Sequence, residues 1–547
     1  MNAISYLLQR RLNLPPPLTR KLVVQRDLRV PMPDGVELLA NRWAPGTGGE
    51  GLPTALIRTP YGRAGAFGMV LARPLAERGY QVLIQSTRGG FGSGGTFEPL
   101  RREREDGLAT VDWVINQPWF GESMVLVGLS YLGYVQWAIA DALPAQVKAM
   151  IPQVSESALT LDFLRGDAFS LETPFGWGVL VATMERPGAL LRSRFQARKT
   201  RSAVYTLPLG DADVAALGRR SGYIQDILSH DADDPYWAAV DHRGRVAAIT
   251  VPVSSIGGWY DFFLPGQLRD FRILQDTEAP ARLTIGPWTH AEFTNAAVLE
   301  AVDFGLAYAR GEQPSPRAPA RLYVMGEEAW RDFDSWPPKG YVAQRFYLQP
   351  HGGLSTLPAA ESQPDSFRYD PADPTPAVGG ARLTGGGRVD NKALEARADV
   401  LTYTTASLGD DVEVIGDVSA EVWFRSSQPY ADVFVRLCDV DERGGSCNVC
   451  DGLVSLSGVD EITCATVRLW PTAHRFKRGH RIRLQVSSGA FPRYARNTGT
   501  GEPHATAKTL KPADQTVYHD AGHPSAVILP VRQPTASITL ARKVRTA

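Results

Sequence analysis

Met124-Val-Leu-Val-Gly-Leu-Ser-Tyr-Leu-Gly-Tyr-Val-Gln-Trp-Ala-Ile-Ala140 is the stretch on which the reading of this chain turns. An apolar run closes in Gly128-Leu-Ser-Tyr-Leu-Gly133 and passes directly into helical spacing. Strand, tight turn with a central serine, then helix is the order of a nucleophile elbow, which holds a serine hydroxyl out at the C-terminal edge of a sheet. Glycines on either side suit it, because a missing Cβ lets strand and helix pass close together through a strained turn. The spacing departs from the simplest form: Leu132 stands two residues after the serine, and the second glycine follows at 133. For this hexapeptide alone the other reading is an ordinary Gly/Ser turn. A serine hydroxyl is a weak nucleophile, so the elbow reading requires a histidine base and a carboxylate elsewhere.

Working outward, β and α signals alternate on both sides of the elbow. Leu22 to Val30 and Val36 to Trp43 read as strands paired around a Pro33-Asp34-Gly35 turn. Thr54 to Arg58, Tyr80 to Gln85, Met124 to Val127 and Val147 to Gln153 read as short buried strands. Helical spacing covers Phe67 to Arg78 and Glu103 to Asn116. That alternation predicts a mostly parallel sheet wrapped by helices. From Ser155 to about His242 the strand signal stops and Leu-, Ala-, Arg- and aromatic-rich helical patterns take over. Alternation resumes at Val251 to Ile256 and Arg282 to Ile285. After about Gly340, short alternating segments between Gly, Asp, Pro and Ser turns predict a β-sandwich, read as a jelly roll. The expected division is an α/β domain at 20–154 and 243–340, a helical cap at 155–242, and an all-β domain at 341–547. The Pro/Gly-loaded stretch from Ser362 to Arg388 reads as a long surface connection.

Bulk properties fit a multi-domain enzyme. The chain has 547 residues, too many for one core. Lys+Arg and Asp+Glu both count 58, so net charge favours neither nucleic acid nor an anionic membrane as partner. No apolar run approaches the ~20 residues that span a bilayer. Arg10 and Arg11 follow the short N-terminal apolar stretch, the wrong order for a secretory signal, so a cytoplasmic location is expected. Cys447-Asn-Val-Cys450 has metal-knuckle spacing without a second pair, which reads as core or loop cysteines and not a zinc site. Gly89-Gly-Phe-Gly-Ser-Gly-Gly95 lacks the Lys-Ser/Thr ending of a phosphate-binding loop and reads as a flexible turn. No cofactor or metal is expected.

The acid and the base should follow the serine, each on a loop after a later strand. Val251 to Ile256 runs into Gly257-Gly-Trp-Tyr-Asp261, and Leu283 to Ile285 runs into Gly286-Pro-Trp-Thr-His290. Ser130, Asp261 and His290 therefore occur in the required order, each just past a strand end. Among nine histidines, His290 alone follows an expected sheet strand in this half. Asp261 competes with Asp270 and with Asp231, Asp233 and Asp234 of a turn-rich acidic stretch. The elbow predicts the Tyr131 N–H as one oxyanion donor. Trp259, Phe262, Phe263 and Trp288 flank acid and base and read either as an apolar pocket lining or as plain core.

Together, Arg58-Thr-Pro-Tyr-Gly-Arg63, Gln85-Ser-Thr-Arg-Gly-Gly90, Gly128-Leu-Ser-Tyr-Leu-Gly133, Gly258-Trp-Tyr-Asp261 and Gly286-Pro-Trp-Thr-His290 resemble the cocaine-esterase and X-Pro dipeptidyl-peptidase family of serine hydrolases. Asp432 to Val440 and Val517 to Ser525 are also similar to it. The resemblance implies an α/β-hydrolase domain with an inserted helical cap, followed by an all-β jelly-roll domain. It implies Tyr61 as the second oxyanion donor, through its phenol hydroxyl; the other reading of Tyr61 is a packed loop aromatic. Ser86 departs from the family, which carries Asp ahead of that Arg-Gly. The expected activity is hydrolysis of small or medium acyl esters through an acyl-enzyme on Ser130. An X-Pro dipeptidyl peptidase, or an amino-acid ester hydrolase or acyltransferase, would use the same triad, and a catalytically silent carbohydrate-binding protein is the reading from another class. Implied partners are a small ester or short peptide substrate, with a homo-oligomer left open.

Overall fold

The computed structural model describes residues 2–158, 168–231, 234–292 and 294–533. Ten strands form the first sheet: Leu22–Pro31 (β1), Glu37–Pro45 (β2), Thr54–Thr59 (β3), Gln81–Ser86 (β4), Met124–Leu129 (β5), Val147–Gln153 (β6), Val253–Tyr260 (β7), Ala281–Thr289 (β8), Ala320–Val324 (β9) and Ala329–Phe333 (β10). Their order is β1-β2-β4-β3-β5-β6-β7-β8-β9-β10. β3 to β9 pair in parallel, and antiparallel strands flank them on both sides. Strands β3, β4 and β7 are buried along their whole length. That burial on both faces explains why they read as near-continuous apolar runs without alternation.

Helices Asn2–Arg11 (α1), Gly65–Ala76 (α2), Glu103–Ile115 (α3) and Tyr131–Trp137 (α4) precede or connect these strands. Glu103, Glu105 and Asp106 open α3, where the helix dipole favours negative charge. The chain leaves β3 to one side for β4 and returns on the other side as β5. A crevice opens above the strand ends at such a reversal, and the Tyr61 and Ser130 loops both leave from it.

Between β6 and β7 the described residues hold helices and turns: Glu172–Thr183 (α5), Ala189–Ala203 (α6), Ala212–Leu217 (α7), Gly222–Ser229 (α8) and short 3-10 turns reaching Ala248. An isolated bridge, Ser170 to Tyr494, ties this region to the β-rich part. After β7, Leu264–Gln275 (α9) returns to β8.

From Tyr341 onward the chain is nearly all β. Among the described residues, eleven strands form one continuous sheet: Tyr341–Gln349 (β11), Gly353–Ser355 (β12), Asp365–Tyr369 (β13), Leu401–Thr404 (β14), Val412–Ser426 (β15), Tyr430–Val440 (β16), Ser446–Ser457 (β17), Thr463–Phe476 (β18), Arg481–Ser487 (β19), Ala513–Tyr518 (β20) and Ala526–Arg532 (β21). A Cβ on Gly452 of β17 would lie 2.0 Å from the Arg468 carbonyl of β18, so these two strands come together without pairing. Inward side chains such as Val414, Val433, Leu437, Leu484 and Val527 meet in one core, which continues into Trp259, Leu268 and Leu322 of the first sheet's side. The two parts share a hydrophobic interior.

The stretch from Ser362 to Arg388 is not a surface connection. It carries β13, which pairs with β20, and Thr375, Ala377 and Ala381 are buried. Gly379 and Gly380 adopt φ of 54° and 70°. A Cβ on Gly380 would meet the Asp451 carboxylate at 2.7 Å, so glycine serves close approach here and not mobility. Arg382 then donates two bonds of 2.7 Å to Glu172, in the first turn of α5, with both side chains largely buried. Arg382→Ala leaves that carboxylate unpaired, at a cost on the order of 3 kcal/mol. Amide hydrogen exchange across residues 172–183 is expected to quicken roughly a hundredfold; unchanged exchange would show that the pair does not pin the helix.

Candidate active site

Ser130 ends the β5 turn with φ 55° and ψ −123°, a strained conformation for a residue with a side chain. Its backbone N–H donates to the Gln153 carbonyl at 2.8 Å, tying the turn to β6. Two glycines make the turn feasible. A Cβ on Gly128 would meet Leu132 at 2.5 Å, and one on Gly133 would meet the Ser155 side chain at 2.5 Å. The second contact explains the shifted spacing: helix α4 needs its bare position where it crosses Ser155, at 133.

Asp261 follows β7 and His290 follows β8 directly. His290 Nε2 lies 2.9 Å from Ser130 Oγ, and Nδ1 lies 2.7 Å from Asp261 Oδ2. Asp261 is fully buried, and its other oxygen accepts the Phe263 N–H at 2.6 Å. An ionised carboxylate only accepts, so Nδ1 carries the imidazole proton. Nε2 is then a bare acceptor for the serine O–H. The competing acids sit elsewhere: Asp270 accepts both N–H and Oγ–H of Ser157, and Asp234 accepts the Tyr236 N–H. Asp231 offers its carbonyl to Trp237, and Asp233 lies outside the described residues.

Tyr131 is the first residue of α4, a position whose N–H has no carbonyl to reach within a helix. The Tyr131 phenol accepts the Leu100 N–H at 2.9 Å and donates to Glu103 at 2.7 Å. Glu103 is buried against Arg58 at 2.9 Å; burial pushes its carboxyl up while Arg58 pulls it down. This network holds the elbow from behind. Tyr61 sits just past β3, with its hydroxyl accepting the Trp177 indole N–H at 2.9 Å, and it lines the same cavity as Ser130. Burial pushes that hydroxyl up to about 12, against the pull of Trp177 and Ser130, so it keeps its proton at neutral pH. Ser86 accepts from the Arg63 N–H and guanidinium, each at 3.2 Å. The carboxylate partner of Arg63 is Asp27, at a bulge in β1 with φ 56°.

Tyr61, Ser130, Tyr131 and His290 line a cavity of about 350 Å³. Phe262 and Phe263 line it; Phe262 stacks on His290 with ring centroids 4.1 Å apart. Trp259 and Trp288 do not line it, contrary to the pocket reading. The Trp259 N–H donates to the Tyr323 carbonyl at 2.7 Å, which draws the ring into the core beside Trp336. The Trp288 ring folds back over Gly286 and packs on Trp330. Thr173, Trp177, Leu180 and Tyr223 complete the wall from the helical region, and Leu383 reaches in from the β-rich part. Sequence reasoning missed Trp177 and Leu383, because neither stands near a strand end or a motif. Cys438 and Cys450 are buried far from water, which pushes both thiols up. Among the described residues, no cluster of three or more His, Cys, Asp or Glu is placed to hold a metal ion, and no helix is long and apolar enough to cross a membrane.

Residues 34–292 match the family model described as X-Pro dipeptidyl-peptidase (S15 family), and residues 315–528 match that described as X-Pro dipeptidyl-peptidase C-terminal non-catalytic domain. The cocaine esterase of Rhodococcus sp. (strain MB1 Bresler) is 32% identical, over 93% of this chain and 98% of its own. An aminopeptidase from a marine sediment Thaumarchaeota archaeon superposes with a TM-score of 0.81 at 22% identity, over 95% of this chain and 99% of its own. An α-amino acid ester hydrolase gives 0.80 at 22% identity, over 94% and 97%. These two likenesses concern the fold. With elbow, carboxylate and imidazole on the loops after β5, β7 and β8 and a curated relative matched almost end to end, this chain belongs to the cocaine-esterase and X-Pro dipeptidyl-peptidase family of serine hydrolases.

Proposed function

We propose that this protein hydrolyses carboxylic esters of small or medium acyl groups, with Ser130 as nucleophile, His290 as base and Asp261 as the group that orients it. The observation that carries the reading is the hydrogen-bonded line Ser130–His290–Asp261 opening onto a mostly apolar cavity. Ser130 Oγ attacks the ester carbonyl as His290 takes its proton. The oxyanion accepts from the Tyr131 N–H and the Tyr61 O–H. His290 then protonates the leaving alcohol, and water repeats the sequence on the acyl-enzyme. Asp261 keeps the imidazole in one tautomer and stabilises its charged form.

The relatives' names include esterases and X-Pro dipeptidyl peptidases. What favours an ester is the charge of the cavity. Binding a free α-ammonium group calls for buried carboxylates, whereas Glu292 is the one acid among the described lining residues. Glu292 is exposed at the rim and already accepts the Thr289 N–H at 2.6 Å. Phe67, Leu129, Trp177, Leu180, Tyr223 and Leu383 offer apolar surface to an uncharged acyl chain. We further propose the division of the chain at residues 20–154 and 243–340, 155–242, and 341–547; limited proteolysis cutting near these limits tests it.

Ser130→Ala is expected to abolish both fluorophosphonate labelling and turnover of p-nitrophenyl acyl esters. Labelling that survives in this variant removes Ser130 from the chemistry. Tyr61→Phe is expected to lower kcat by about 10²–10³, the usual cost of one oxyanion donor, and a fall of less than about tenfold excludes the phenol. Compared on p-nitrophenyl butyrate and an X-Pro p-nitroanilide, kcat/KM should favour the ester; the opposite ranking makes the chain a peptidase.

A further inference from the structure

Trp177 lies on α5, in the helical region inserted between β6 and β7. Its ring stacks on the Tyr131 ring with centroids 5.8 Å apart and planes 14° from parallel. Tyr223 packs edge-on against its side at 5.0 Å. Held by these rings, the indole N–H points at the Tyr61 oxygen 2.9 Å away. Tyr61 itself is steadied edge-on by Phe67 at 5.4 Å.

Chemistry fixes the direction of every proton in this line. An indole N–H can only donate, and a carboxylate can only accept. From the acid end, Asp261 accepts the Nδ1–H of His290, Nε2 therefore accepts from Ser130, and Oγ is left as an acceptor. From the other end, Trp177 donates to the Tyr61 oxygen. The Tyr61 proton is then turned away from the indole, into the cavity that Tyr61 shares with Ser130, where the oxyanion would form. Without the indole, the phenol oxygen loses its donor and the O–H can rotate away from Ser130.

We infer that Trp177 is a positioning residue that aims the Tyr61 proton at the reacting centre, so that the oxyanion hole is complete only when α5 is seated. The inference rests on the proposal that Tyr61 is the second oxyanion donor. The indole stacks on the residue that supplies the first donor and hydrogen-bonds the residue that supplies the second. One side chain of the inserted helices thus touches both. If Trp177 were part of the cavity wall and nothing more, its loss would act on substrate binding and show in KM. Because it also orients a donor, it acts where charge develops, and that part shows in kcat.

The test is a double-mutant cycle on p-nitrophenyl butyrate, pairing Trp177→Phe with Tyr61→Phe. Phenylalanine keeps an aromatic face against Tyr131 and removes the N–H. In the parent, Trp177→Phe should lower kcat about tenfold, the worth of one oriented neutral hydrogen bond, with KM within about twofold. In the Tyr61→Phe background the same change should cost less than about twofold. Replacing Trp177 with benzothienylalanine, which keeps the ring volume without the N–H, should reproduce the tenfold loss and excludes a packing effect. Affinity for n-butylboronic acid, whose adduct on Ser130 places an oxygen in the same hole, should fall by the same factor. Equal losses in both backgrounds, a loss confined to KM, or an unchanged kcat with the benzothienyl ring would overturn the inference. A Tyr61→Phe chain turning over at the parental rate would instead overturn the oxyanion role of Tyr61, so the two failures are distinguishable.

Discussion

A row of polar side chains whose two ends have fixed polarity runs through the centre of this molecule. Asp261 terminates it as an acceptor and Trp177 as a donor, with His290 and Ser130 bonded in line from one end and Tyr61 from the other, and Ser130 and Tyr61 facing one cavity. Each intermediate group can both give and take, so the direction of each proton comes from the ends. Five side chains from five separate segments must be held in place at once. Much of the tertiary structure can be understood as what that requires.

The sheet supplies four of the five. Because the chain reverses direction around β3, the loops after β3 and β5 open side by side, and β7 and β8 bring their loops to the same edge. The strained Ser130 turn persists because its surroundings over-determine it: Gln153 holds its amide, and Leu132 and Ser155 press where glycine alone fits. Behind it, the buried Arg58–Glu103–Tyr131 network fixes the first turn of α4. A buried ion pair of this kind is weak evidence for stability, and its value here is the geometry it imposes. The fifth side chain arrives on α5, whose first turn is clamped to the β-rich part by Arg382 and Glu172. Elements distant in sequence therefore share one cavity, with Leu383 contributing from the third of them.

The elbow, the following acid and the following base were legible because each occupies a post-strand loop with a recognisable residue type, and short buried strands announce themselves by composition. Helical character between β6 and β7, and the β-rich remainder, were legible from period alone. Three things were not. Trp259 and Trp288 flank the acid and the base in sequence, yet a carbonyl draws one indole into the core, and the bare surface of Gly286 lets the other fold back over its own strand, away from the cavity. The stretch around Gly379 and Gly380 reads as a long surface connection, because glycine placed for close approach and glycine placed in a surface turn are written with the same letter. The partner of Arg63 came from Asp27, on a strand bulge that no local pattern marks.

Local order along the chain was enough to determine the strand-turn-helix of the elbow, the succession serine, aspartate, histidine, and the change from α/β to all-β character, since these depend on near neighbours and on period. Which aromatic rings face the cavity, which carboxylate answers which guanidinium, and where the Tyr61 proton points were decided only in three dimensions. Those outcomes depend on contacts between residues such as Trp177 and Tyr61, or Arg382 and Glu172, separated by a hundred positions or more. No period or spacing encodes such a pairing; close packing of the folded chain selects it.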